Sequence, residues 1–144
     1  MKEGISIVLA VHNLEETIGD VVDGIINNVS NNVKEMFIIL DACTDNSEDV
    51  ILRSLIWKSD TLDVKIVYAN YNNKLIAHNI GCCSSEYKYS LIVPDDMVIN
   101  EKNFDKRLLK SFDGNIPDAR YGNVLVLLEN SKLVELNFED LIDE

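Results

Sequence analysis

Four short apolar runs alternate along the chain with stretches whose apolar residues recur at helical spacing. Ile5–Val11, Met36–Leu40, Val64–Tyr68 and Tyr89–Val93 are rich in aliphatic and β-branched residues, the pattern of strands buried on both faces. Between the first two, Val21, Val22, Ile25 and Ile26 give the segment from Leu14 to about Val29 a helical stripe. Val50, Ile51, Leu52, Leu55 and Ile56 do the same for a second helix, and Leu75–Cys83 reads as a short third. Phe104, Leu108, Leu109 and Phe112 suggest another short helix, and Val124–Leu128 a last strand. Asn13 with Glu16 has the form of a capping box, and Asp45 with Glu48 suits the start of the second helix. Asn70, Asn72 and Asn73 mark a loop. A βαβαβαβ order with short connections predicts one α/β domain over residues 1–144. Its sheet is mainly parallel, with helices on both faces and right-handed crossovers.

In such a sheet, ligands bind beyond the carboxyl ends of the strands. Three of those ends are polar here: His12-Asn13 after the first run, Asp41 after the second and Asp95-Asp96 after the fourth. Adjacent carboxylates repel unless a cation or solvent relieves them, and magnesium or manganese takes such hard oxygen ligands, completing its shell with water and phosphate oxygens. A turn or helix cap is the plainer reading of Asp95-Asp96. Asp41 suits a hydrogen bond from a base or a ribose, or simply opens the turn into the next helix. Asn13 suits a helix cap as well as a ligand contact. His78, if protonated, would assist a diphosphate; otherwise it is a polar position on a short helix.

Composition excludes more than it selects. The net charge is −12 over 144 residues, and no Lys/Arg cluster offers the grip that a phosphate backbone needs. Nucleic acid and anionic membrane are therefore not expected partners. The first apolar run is too short to cross a bilayer, which leads us to expect a soluble, cytoplasmic protein. Cys43, Cys82 and Cys83 are odd in number and two are adjacent, unlike a disulfide framework. Cys43 has no evident basic partner to make it a nucleophile, and neither a GxGxxG nor a GxxxxGK[ST] pattern is present.

Four segments in order resemble glycosyltransferase family 2. ISIVLAVHNLEE is similar to the family's SIVIPVYNEE, FIILDACTDNS to IIVVDDGSTDNT, IAHNIG to AARNIG, and LIVPDDMVI to the metal-binding segment that reads QDDM. The resemblance covers about residues 4 to 113. It implies a Rossmann-like GT-A fold, with Val11, His12, Asn13, Asp41 and His78 around a nucleotide and Asp95 and Asp96 on Mn2+ or Mg2+, Asp96 as the direct ligand. It implies inverting, metal-dependent transfer of a sugar from a nucleoside-diphosphate sugar, UDP foremost, to the hydroxyl of a glycan, lipid or protein acceptor. Ala10 replaces the usual Pro; Leu40, Ala42 and Cys43 replace the first Asp, the Gly and the Ser of DDGS; His78 replaces an Arg; Asn73 stands where Gly is common. By that resemblance the acceptor region after Asp96 is expected to be short or missing, with Glu139 and Asp140 as candidates for its catalytic carboxylate. Two further readings stay open: a nucleotide-sugar-binding module without catalysis, and a structural domain that keeps only the fold. Apolar surface left uncovered would favour a homo-oligomer.

Overall fold

The computed structural model of the chain describes residues 1–112 and 124–130. These form β1 (Lys2–Val11), α1 (Ile18–Asn28), β2 (Val33–Asp41), α2 (Ser47–Leu55), β3 (Asp63–Ala69), α3 (Lys74–Ser84), β4 (Tyr87–Ile92), α4 (Phe104–Lys110) and β5 (Val126–Glu129). The strands make one sheet in the order β3-β2-β1-β4-β5. The first four are parallel, and β5 runs antiparallel against β4. The expected α/β architecture is therefore observed, with β1 at the centre of the sheet.

The two-residue period of a strand sends alternate side chains to opposite faces. Ile5, Ile7, Leu9 and Val11 of β1 join α1's Ile18, Val21, Val22 and Ile25 and α2's Ile51 in the main core. On the other face, Val8 packs with Cys82, and Ala10 with Ala77, both from α3. Burying an Ile, Leu or Val fully contributes about 1.5–3 kcal/mol, and residues 5–11 of β1 are all buried. That is why this run reads as apolar at every position but Ser6. α3 approaches β1 closely because of Gly81: a Cβ there would sit 2.4 Å from Val8 Cγ1.

Three local readings are corrected. The Asn13–Glu16 capping box does not form. α1 begins at Ile18, its cap residue Thr17 makes no side-chain cap bond, and Leu14 to Thr17 is a turn in which Leu14 O accepts from Thr17 N and Ile18 N. Asn13 instead adopts a left-handed φ of 49°, which Asn tolerates better than most residues, and its side chain serves the β2–α2 loop. Asp45 does act at the start of α2, accepting from Ser47 N at 2.9 Å, whereas Glu48 accepts from the Tyr68 hydroxyl. Finally, the residue with positive φ in the β3–α3 loop is Asn72, at 48°. Asn73, where Gly is common, has φ −147° and caps α3, accepting from Ile76 N at 3.1 Å.

Glu35 was not legible as a buried residue. It is 2% exposed in β2, where it accepts from Ser6 Oγ at 2.7 Å, Glu86 N at 3.1 Å and Lys65 Nζ at 3.1 Å. A buried carboxylate is tolerable when its oxygens are so engaged. This network lies at the amino ends of the strands and ties β1, β2, β3 and the start of β4 together, leaving the opposite ends for the cleft. Cys43, Cys82 and Cys83 are all free. No helix among the described residues is long and apolar enough to cross a membrane.

Candidate functional site

β1 pairs with β2 on one side and with β4 on the other, so the chain reverses direction across the sheet at β1. Loops leaving the carboxyl ends of β1 and β4 diverge at such a point and open a crevice. A cleft of about 280 Å³ lies there, lined by Ala10 and Val11 from the end of β1, His12 just after it, Asp41 from the end of β2, Asn72 and Asn73 from the β3–α3 loop, Lys74 from the start of α3, and Asp95 after β4.

Asp41 is 3% exposed. Its Oδ1 accepts from Tyr71 N at 2.8 Å and Asn72 N at 2.9 Å, and its Oδ2 from Asn73 N at 2.8 Å. Burial pushes the carboxyl up, but the N–H groups of Asn73, Tyr71 and Asn72, with the nearby His12, outweigh it and hold the group below the ordinary Asp value. A carboxylate offers about four lone-pair sites, so three donors leave it one acceptor direction. Asp41 thus moulds the β3–α3 loop into one wall of the cleft. The next residue, Ala42, has φ 54°. That explains why the resembling motif carries Gly there, since an L side chain in this region costs roughly 1–2 kcal/mol.

His12 is exposed at the mouth, and its Nδ1 lies 2.9 Å from the Asp41 carbonyl. A carbonyl only accepts, so Nδ1 carries the proton in that bond, and Nε2 is left to a ligand. Asn13, also exposed, does not line the cleft. Its Oδ1 accepts from Thr44 N at 2.7 Å and Asp45 N at 3.2 Å, and its Nδ2 donates to Thr44 Oγ1. It fastens the β1–α1 loop to the β2–α2 loop. Val11 lines the cleft, and its carbonyl accepts from Cys43 Sγ at 3.3 Å. Burial, ahead of the other influences, pushes the Cys43 thiol up, the opposite of what an activated nucleophile needs.

The acidic pair separates. Val93 N donates to Val8 O at 3.0 Å, extending the β1–β4 ladder, and Met97 N donates to Pro94 O at 3.2 Å, closing a turn over residues 94–97. Asp95 and Asp96 are its central residues. Asp95 faces the cleft with a side chain 12% exposed, and Lys74 Nζ lies 3.2 Å from each of its oxygens. Asp96 is exposed and outside the cleft lining. Downstream the segment docks on α1. Gly24 leaves room for Ile99, whose carbonyl oxygen would lie 2.7 Å from a Cβ there, and Asn28 Nδ2 donates to Ile99 O at 2.9 Å while its own carbonyl accepts from Asn103 N at 2.7 Å.

His78 sits in α3, one turn beyond Lys74. It is buried and does not line the cleft. Burial, then the Lys74 charge, push its imidazole below the ordinary value, with Asp95 pulling the other way. Lys74 was not singled out in the sequence, because a lone Lys at the start of a short helix carries no pattern. The signal lay in its place on the loop after β3, on the ligand side of the sheet. Glu139 and Asp140 lie outside the described residues.

Of the pair, Asp95 is the carboxylate that faces the cleft, a hard oxygen donor of the kind magnesium and manganese take when phosphate and water complete their shell. Among the described residues no group of three or more His, Cys, Asp or Glu side chains forms a closed metal cage.

The family model described as glycosyl transferase family 2 matches residues 6–135. No curated protein sequence matches the chain. Among solved structures, S. aureus TarS residues 1–349 in complex with UDP is 14% identical, covers 95% of this chain and 49% of its own, and superposes with a TM-score of 0.67. The mannosyltransferase PcManGT from Pyrobaculum calidifontis, in complex with GDP-Man and Mn2+, is 14% identical with a TM-score of 0.67, over 79% of this chain and 34% of its own. Glucosyl-3-phosphoglycerate synthase from Mycobacterium tuberculosis, in complex with Mg2+ and UDP, is 20% identical with a TM-score of 0.61, over 78% and 41% respectively. The likeness bears out the GT-A fold, and the chain spans less than half the length of each of these proteins.

Proposed function

The chain belongs to glycosyl transferase family 2, and from that premise we propose that its cleft receives the nucleoside diphosphate of a sugar donor, whose sugar is passed to an acceptor hydroxyl. The observation that carries this reading is the convergence of His12, Asp41, Asn73, Lys74 and Asp95 on one cleft at the carboxyl ends of the strands. Structures of similar fold hold UDP, or GDP-mannose, with Mg2+ or Mn2+. UDP is the nucleotide we assign first, with GDP and dTDP as its rivals.

Asp41 holds the loop that walls the nucleotide and keeps one acceptor direction for a base N–H or a ribose hydroxyl. His12 offers its ring and Nε2 at the mouth. Asp95 faces the diphosphate region, and with Asp96 beside it would hold Mn2+ or Mg2+, which supplies Lewis-acid neutralisation of charge on the leaving diphosphate. Lys74 adds a positive charge to the same region, stabilising that developing charge electrostatically. Inversion at the anomeric carbon needs a carboxylate to take the acceptor's proton, for which Glu139 and Asp140 are the candidates. The acceptor is a glycan, lipid or protein hydroxyl.

A second reading, nucleotide-sugar binding without transfer, is favoured by one observation. Both carboxylates lining the cleft are engaged, Asp41 by three backbone N–H groups and Asp95 by Lys74. Calorimetric titration with UDP, GDP and dTDP, each with and without Mn2+, tests the site. We expect metal-dependent binding that is lost in the Asp95→Asn/Asp96→Asn double variant. Folded protein that binds none of the three would overturn both readings. Binding of the donor sugar with no turnover on glycan, lipid or peptide acceptors would select the second.

A further inference from the structure

We propose that Lys74 is a displaceable counter-ion that couples divalent-cation binding to nucleotide binding in the cleft; the inference rests on the donor-site reading and adds to the positive charge of Lys74 a second task, holding the cation's place on Asp95. Lys74 Nζ stands 3.2 Å from both oxygens of Asp95, straddling the carboxylate. The partners are unequal. The Asp95 side chain is 12% exposed and fixed by the turn after β4, whereas that of Lys74 is 62% exposed and rides on a flexible stem with three rotatable donors. A pair with one end in water is held weakly. The ammonium is therefore the half that moves.

A divalent cation on Asp95 and the Lys74 ammonium on the same oxygens would be like charges in contact, so a cation arriving alone must expel Lys74. A diphosphate changes that balance. It brings negative charge to the mouth of the cleft, where Lys74 also lies, and gives the ammonium a new partner as it leaves Asp95. Nucleotide binding thereby frees the carboxylate for the cation. By linkage, bound cation strengthens nucleotide binding by the same factor. The carboxylate stays neutralised throughout, first by Lys74 and then by the cation.

The proposal assigns opposite signs to two affinities. In Lys74→Met, Mn2+ alone, read by the electron paramagnetic resonance of the free ion, is expected to bind more tightly than to the wild-type chain. UDP in the presence of EDTA, read by calorimetry, is expected to bind more weakly. The factor by which saturating UDP improves Mn2+ affinity is expected to fall by about fivefold or more. Lys74→Arg keeps the charge and should restore most of the coupling. The exposed side chain makes a folding failure readily distinguishable, by circular dichroism and thermal melting of each variant.

Wild-type coupling that persists in Lys74→Met, or a variant in which Mn2+ alone binds no tighter, overturns the inference and leaves the donor-site reading standing. A wild-type chain that binds neither UDP nor Mn2+ overturns both.

Discussion

Asp41 shows how one side chain can shape a whole loop. Its carboxylate gathers three successive N–H groups of the β3–α3 loop, and its ionised form is favoured in the folded chain. A group whose folded pKa lies below its unfolded value stabilises the protein fully above the unfolded value, and that contribution is lost as pH falls through the folded one. Asp41→Asn should therefore cost about 1–3 kcal/mol near neutral pH, in line with hydrogen bonds to charged groups. The difference from wild type should shrink once the pH drops below about 4, the ordinary Asp pKa. Thermal melts of both proteins at a series of pH values check this; a gap that stays constant into acid would show that the charge contributes nothing. In the sequence, Asp41 was visible as a polar residue ending an apolar run, and that located it correctly at the cleft. Its three bonds were not visible, because the donors lie some 30 residues downstream and no local pattern ties them to it. Lys74 was missed for the same reason: its meaning comes from Asp95, which only the fold brings near.

The central strands β1 and β2 were legible because burial on both faces leaves an apolar signature, and each contains the run that announced it; β3, at the sheet edge, is only half-buried, and β4 and β5 overlap their runs with ends shifted by one or two residues. The start of α1 was not legible. Asn13 and Glu16 fit a local rule, yet Asn13 is claimed by Thr44 and Asp45 across the sheet end, and tertiary partners outweigh a cap. Gly81 makes the converse point, since its role depends on Val8 in β1. With a Cβ so close to Val8 Cγ1, α3 would have to lift from the sheet. Overpacking of this kind costs typically 1–3 kcal/mol, which outweighs the roughly 1 kcal/mol that Ala gains over Gly in a helix interior. Gly81→Ala is expected to lower stability in urea denaturation by up to about 2 kcal/mol, the balance of these two effects. Because α3 carries Lys74 and its cap Asn73, the same change should also weaken nucleotide binding. A variant as stable as wild type would mean that α3 accommodates the methyl by sliding.

Across the whole molecule, 25 acidic residues against 13 Lys and Arg set the field that an approaching ligand meets. Long-range repulsion of an anion by an anionic protein is relieved by added salt, since the Debye length shortens to about 8 Å at physiological ionic strength. The association rate of UDP without divalent cation should therefore rise with salt, the reverse of steered association. Stopped-flow measurements over a range of ionic strength test this, and a falling rate would show that the local charge of Lys74 dominates the approach. The position of β1 has a different kind of consequence. Its partner β2 follows within some 30 residues, but the other edge of β1 waits for β4, some 80 residues later in the chain (Ile7 pairs with Met36 and with Leu91). Until then an aliphatic strand keeps an open row of N–H and C=O groups, the kind of edge that recruits other chains. The strand that closes this edge is the one that delivers Asp95. The segment that gives the cleft its acidic wall is thus the same one that takes this edge of β1 out of reach of neighbouring chains.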